Sequence, residues 1–222
     1  MISKIAMPFN TKIESQAHGN EQAIYINIQN IITKITDTRK SKLISDAIEF
    51  AIKAHEGQLR KGTSIPYVIH PLRVGLILSE LGCSDEVVIA GVLHDTIEDT
   101  GTTHEEIEQL FGSNVAFLVQ GASEPDKSDT WENRKTHTIE YLKTAPKDVL
   151  FVSCADKIDN NRETDRHLLE VGEEHWKAFK RPREQQKWYY ESLAKVFISR
   201  IDDDVTNKLF KQFEQELKNV YG

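Results

Sequence analysis

SDEVVIAGVLHDTIEDTGTTHEEIEQLF, residues 84–111, is the stretch that decides the fold class. Ser84 has the short oxygen-bearing side chain of a helix N-cap, and Asp85 and Glu86 follow it where carboxylates complement the positive end of a helix dipole. The helix so started runs through Val87, Val88, Ala90, Val92 and Leu93 into His94 and Asp95. Thr103 with Glu106 three residues later has the form of a capping box, opening a helix that reaches Leu110 and Phe111 before Gly112.

The same reading extends in both directions. Upstream, Leu43, Ala47, Ala51 and His55 fall four apart with Ile44, Ile48 and Ile52 beside them, an amphipathic helix ending near Gly57. A loop from Gln58 to Tyr67 carries Arg60, Lys61, Gly62 and Pro66, and Pro71 then suits the first turn of a helix that stops at Gly82. Earlier still, Ile24, Ile28, Ile31 and Ile35 follow helical spacing while Ile24, Ile26 and Ile28 also alternate as a strand would; the reading leans to helix. Downstream come an apolar helix around Val115, Leu118 and Val119, a polar loop from Gly121 to Asp129, and helical patterns from Trp131 to Leu142 and from Val149 to about Asn160. Glu163 to Tyr221 is charged and studded with aromatics, with one break expected at Pro182. No repeated alternating strands occur, so the expected fold is all-α.

At 222 residues the chain suits one well-buried core. Acidic residues outnumber basic ones, 35 to 28, and the net charge of −7 disfavours nucleic acid and anionic membranes as partners. An anionic ligand therefore needs a local positive site. Cys83 and Cys154 have neither metal-ligand spacing nor a disulfide framework, which fits a reducing cytosol and small buried side chains. No stretch approaches the ~20 apolar residues of a membrane span, so a cytoplasmic location is expected.

His94 and Asp95 conclude a strongly apolar run, where an ionised carboxylate is costly to bury without a cation or a hydrogen-bond partner. Glu98 and Asp99 lie four residues on, over His94 and Asp95 if the helix continues. A divalent cation would relieve that crowding, and mixed imidazole and carboxylate donors suit manganese, iron or zinc. Taken alone, these residues are explained equally well by a charged cap closing an apolar helix. His70, at a helix start in YVIHP, and Asp156, in the apolar run from Val149 to Ala155, add two further candidates.

The order His, His-Asp and distant Asp resembles the HD metal-dependent phosphohydrolase superfamily. AHEGQLRKGTSIPYVIHP (54–71), GVLHDTIEDT (91–100) and ADKIDN (155–160) together resemble the hydrolase domain of the Rel/SpoT alarmone enzymes and the small alarmone hydrolases. The resemblance implies an HD-domain bundle of roughly 8–11 helices, covering about residues 40 to 200. Residues 1–40 are expected to form an N-terminal extension, 41–205 the hydrolase domain, and 206–222 a C-terminal helix packed on it.

The resemblance also implies roles. His70, His94, Asp95 and Asp156 match metal ligands, for Mn2+ or another divalent ion, and Glu98 with Asp99 match a catalytic acidic pair. Arg60, Lys61 and Asn160 match nucleotide contacts. Arg181, with Glu184 and Trp188, matches more loosely a closing helix whose arginine reaches substrate phosphate. The implied reaction, part of the stringent response, is removal of the 3′-pyrophosphate of guanosine tetra- or pentaphosphate, without synthetase activity because the chain ends soon after the hydrolase-like region. A neighbouring substrate, an adenosine alarmone or the 2′-phosphate of NADPH, and a catalytically silent nucleotide-binding regulator are the alternatives. The partner is thus a small nucleotide, and a homo-oligomer stays open.

Other residues carry less. His55 reads as a packing or supporting histidine. Thr63, Tyr67 and Lys157 flank site positions, and substrate contact or a plain surface role fits each equally. His104, His137, His167 and His175 are expected to face solvent, and Trp131, Trp176 and Trp188 to make core or helix contacts.

Overall fold

The computed structural model describes residues 19–124 and 128–222; residues 1–18 of the expected extension and 125–127 of the expected polar loop lie outside the described residues. The chain folds as α1 (Gly19–Arg39), α2 (Lys42–Ala54), α3 (Ile69–Leu81), α4 (Asp85–Leu93), α5 (Thr96–Asp99), α6 (His104–Phe111), α7 (Ser113–Ala122) and α8 (Trp131–Leu142). Then follow α9 (Lys147–Val171), a 3-10 segment (Gly172–Ala178), α10 (Arg183–Ser199) and α11 (Asp204–Tyr221). The fold is all-α; the β-type pairing among the described residues is a single bridge between Leu59 and Pro66. No described helix is long and apolar enough to cross a membrane.

The caps behave as local chemistry requires. Ser84 Oγ accepts the Val87 N–H at 3.4 Å, and Thr103 Oγ1 accepts the Glu106 N–H at 3.1 Å. Gly82 ends α3 at φ +85°, the left-handed conformation glycine adopts without strain. The ambiguous isoleucine run is helical: Ile28, Ile31, Ile32 and Ile35 are buried, whereas Ile26 is 51% exposed, so the alternating pattern has no buried face to serve.

Three expectations are corrected. Leu43 lies outside the buried stripe of α2, which Ile44, Ala47, Ile48 and Ala51 form. The helix begun at Ser84 ends at Leu93 instead of running through His94 and Asp95, because the Thr96 hydroxyl donates to the Leu93 carbonyl at 2.7 Å and Asp95 sits at φ −94°, ψ −4°. The chain beyond Glu163 breaks twice, around the 3-10 segment before Pro182 and again at 200–203, where Asp203 and Thr206 cap α11 reciprocally. The second break lacks proline and glycine, which is why the sequence hides it.

Two features position the site. Helices α3 and α4 form an antiparallel hairpin at close approach: a Cβ on Gly75 would stand 2.5 Å from Val92 Cγ2, and one on Gly91 would stand 2.4 Å from Leu78 Cδ1. That hairpin sets the first turn of α3 beside the end of α4. Helix α9 packs across α3, α4 and α7, and α11 packs on α9. The isoleucines of α1 and Leu209, Phe210 and Phe213 of α11 share one apolar cluster with α2–α4 and α9.

Candidate metal centre and catalytic cavity

His70 enters from the first turn of α3, His94 from the end of α4, and Asp156 from the middle of α9; all three are buried. The His70 Nδ1–H donates to Asp159 Oδ2 at 2.7 Å, and the His94 Nδ1–H donates to the Gly91 carbonyl at 2.9 Å. Those two bonds leave both Nε2 atoms facing inward. His70 Nε2 lies 3.2 Å from Asp156 Oδ1 and 3.6 Å from Asp95 Oδ2, and His94 Nε2 lies 3.1 Å from Asp95 Oδ2. The ligand atoms of His70, His94 and Asp156 all fall within 4.8 Å of one another.

The residues fit a divalent cation. His94 Nε2 is buried, makes no well-directed hydrogen bond and faces the Asp95 carboxylate at 3.1 Å, a costly state unless a proton or a cation lies between them. Burial by itself would lower both imidazole pKa values, yet the carboxylates around them dominate. His94 is raised to about 9, chiefly by Asp95, and His70 is raised by its bonds to Asp156 and Asp159. Burial pushes the two aspartates up, and their neighbours outweigh it: Asp95 is held low by His94, and Asp156 by Lys157 and the two histidines. Protons thus supply the positive charge this cluster demands, and a metal would displace them.

A cavity of about 460 Å3 opens on this cluster, lined among others by Tyr67, Asp95, Glu98, Asp99, Lys157 and Asn160. The Tyr67 hydroxyl donates to Asp95 Oδ2 at 2.6 Å and lies 3.2 Å from Asp99 Oδ2, coupling Asp95 to Asp99. Burial and those carboxylates push the phenol pKa up, so it stays a donor. Glu98 Oε2 accepts the Glu124 N–H at 3.1 Å. Gln58 Nε2 donates to the Asp99 carbonyl and its Oε1 bonds His55 Nδ1 at 2.9 Å, so His55 supports the acidic turn from behind.

The other expected contacts divide. Arg60 Nη2 donates to Asn160 Oδ1 at 3.2 Å, its guanidinium 5.6 Å from the Tyr67 ring, and Asn160 Nδ2 donates to Asp156. Lys61, the next residue, lies over Phe179 at 5.0 Å and lines a different cavity. Arg181 makes a two-pronged pair with Glu132 at 2.7 and 3.0 Å and does not line the first cavity. Nor do His167 and His175 face solvent freely: their rings pack 5.4 Å apart, and His175 Nε2 is buried.

Sequence reading missed three residues and left a fourth, Lys157, open. Asp159 anchors His70 from one turn beyond Asp156, a spacing that could have flagged it. Lys157, for which the sequence allows either of two roles, donates to Asp156 Oδ2 at 2.6 Å with its side chain 18% exposed. Arg134 and Lys135 of α8 both pair with Glu124 at the cavity wall, and no local pattern announces that. These cations supply the local positive charge that the acidic chain needs to meet an anionic ligand.

Residues 47–181 match the model of the HD domain. The chain belongs to the HD domain family. Within it, the chain is 42% identical over 119 residues to the guanosine-3′,5′-bis(diphosphate) 3′-pyrophosphohydrolase of Aquifex aeolicus, covering 53% of this chain and 17% of that protein. It is 38% identical over 127 residues to the pyrophosphohydrolase MESH1 of Danio rerio, covering 56% of this chain and 70% of that one. The solved structure described as a metazoan ortholog of SpoT that hydrolyzes ppGpp superposes with a TM-score of 0.63 at 29% identity, over 79% of this chain and 96% of that one. This HD chain therefore spans about a sixth of its Aquifex relative and most of its zebrafish one.

Proposed function

We propose that this HD protein hydrolyses the 3′-pyrophosphate of guanosine tetra- and pentaphosphate, giving GDP or GTP and pyrophosphate. The observation that carries the reading is the inward-facing His70, His94 and Asp156 cluster, opening on a cavity that holds an acidic pair and half-buried cations. We read Asp95 as the fourth ligand and residues 41–205 as the unit carrying the chemistry. Manganese is the cation we favour, because two imidazoles and two carboxylates form a borderline-hard donor set. A divalent ion held there lowers the pKa of water and polarises a phosphoryl oxygen.

The chain's own groups complete the reaction. Asp99, tied to Asp95 through Tyr67, and Glu98, held by the Glu124 amide, orient the attacking water and take its proton. The water oxygen bonds the phosphorus next to the ribose, the bond to O3′ breaks, and the proton passes to O3′ as pyrophosphate leaves. Lys135, Arg134 and Lys157 offset the phosphate charge. Arg60 and Asn160 are placed to meet the nucleoside.

The test is product analysis with purified, manganese-loaded protein on ppGpp, ppApp and NADPH, repeated after chelation and metal add-back. GDP and pyrophosphate should appear from ppGpp, vanish on chelation and return on add-back. Folded, metal-loaded protein that leaves ppGpp intact would refute the assignment.

A further inference from the structure

Two residues beyond the end of α7, Glu124 touches both halves of the first cavity. Its N–H donates to Glu98 Oε2 at 3.1 Å, and its carboxylate pairs with Lys135 through Oε1 and with Arg134 through Oε2. All four residues line that cavity. The backbone beside Glu124 is held independently of the carboxylate: the Ser123 N–H donates to the Val119 carbonyl at 3.1 Å, and Ser123 Oγ lies 3.3 Å from the His94 carbonyl. The side chain can therefore turn while the amide keeps its bond to Glu98.

The charge on this wall is closely matched. Lys157 is taken by Asp156, and the single carboxylate of Glu124 serves both Arg134 and Lys135. The three side chains of that second cluster are 13% exposed for Glu124, 16% for Lys135 and 21% for Arg134, so water screens them only in part. Burial pushes the Glu124 pKa up, and Lys135, Lys157 and Arg134 outweigh it and hold it low, so the carboxylate is an ion.

A phosphate group makes the same demand as that carboxylate, oxygens set against a guanidinium fork and an ammonium. Arg134 Nε is buried without a hydrogen-bond partner, so Glu124 leaves one donor of the fork unused. A second anion brought to these donors meets the Glu124 charge directly, and like charges in a partly desolvated site repel.

We propose that Glu124 is a built-in competitor of the substrate's phosphates: its carboxylate occupies Arg134 and Lys135 in the empty cavity, and a bound pyrophosphate group must displace it from them. This rests on reading the first cavity as a phosphoester site. Glu124 is a positioning residue, acting on the phosphate through the two cations. Its return to them after cleavage weakens the hold on pyrophosphate and speeds its departure.

The experiment is calorimetric titration of the whole, metal-free chain with pyrophosphate. Glu124→Gln keeps the shape and removes the charge, and should tighten binding about tenfold. In a Lys135→Gln background the same change should give no gain. Glu140→Gln, which removes an equal charge from an exposed site on α8, should leave binding within about twofold of the unaltered chain. Weaker or unchanged binding in Glu124→Gln, no binding by either chain, or an equal gain in Glu140→Gln would overturn the proposal. Should Glu124→Gln fail to fold, the carboxyl carbon resonance of Glu124 in the unaltered chain decides: a saturable shift with pyrophosphate supports displacement, and a resonance unmoved at saturation refutes it. Pyrophosphate is read here without turnover, so a chain inert to ppGpp that still shows the gain would keep the device and lose only the substrate.

Discussion

Helix α9 grips His70 at both ring nitrogens: Asp159 Oδ2 accepts the Nδ1–H at 2.7 Å, and Asp156 Oδ1 lies 3.2 Å from Nε2. Asp156 and Asp159 are three apart and so share a face of the helix. Removing the outer carboxylate should loosen the ring and its tautomer. Asp159→Asn is expected to weaken manganese binding about 10- to 100-fold with the fold intact. Metal titration combined with imidazole nitrogen spectra checks this, and unchanged affinity would show that His70 needs no anchor.

The acidic pair should separate chemistry from metal binding. Glu98→Gln and Asp99→Asn are each expected to lower kcat by about 10^2- to 10^4-fold, the usual worth of a positioned acid or base. Metal content, measured on the same preparations, should stay at the level of the unaltered protein. Retained turnover would move the general base elsewhere.

Arg181 is expected to be silent. Its two-pronged pair with Glu132 is exposed and away from the first cavity. Exposed pairs contribute little in water. Arg181→Ala should leave kcat/KM and the urea midpoint unchanged, and a marked rise in KM would mean that the 3-10 segment and the start of α10 swing over the substrate.

Acid-base linkage predicts an unusual pH response in metal-free protein. His94 is raised from an ordinary value of 6.5 to about 9 in the folded state. A raised value means that the protonated ring stabilises the fold; this contribution is complete below 6.5 and fades as pH rises through about 9. Urea midpoints measured with chelator should fall across that window, and loading the metal at about pH 7.5 should release protons. A flat midpoint would contradict the charge balance described for the cluster.

Gly75→Val tests the hairpin that joins the two histidines. A Cβ there already meets the stiff Val92 side chain at 2.5 Å, so the larger group must push α3 from α4. Overpacking of this kind costs about 1–3 kcal/mol. Stability and metal affinity should fall together, because the same displacement parts His70 from His94.

Helix caps and apolar spacing are local, which is why Ser84, Thr103, Gly82 and the stripe of α2 are legible in the chain itself. The HD-type motifs likewise named His70, His94 and Asp156 as candidates, since each lies in a short segment of its own. The break at 200–203 escaped because an aspartate-threonine cap leaves no proline or glycine as a mark.

What the sequence determined by itself was an all-α chain and the candidate ligands His70, His94 and Asp156, which the fold brings together. Tertiary structure alone decided which side of the 60–65 loop each cation serves, with Arg60 on Asn160 and Lys61 on Phe179. It alone recruited Asp159, Lys157 and Lys135, and it sent Arg181 to Glu132. The reason is physical. Periodicity and capping act within a few residues of one another, whereas a side chain's partner across the bundle depends on how helices cross, a property of the packed core and not of any one segment.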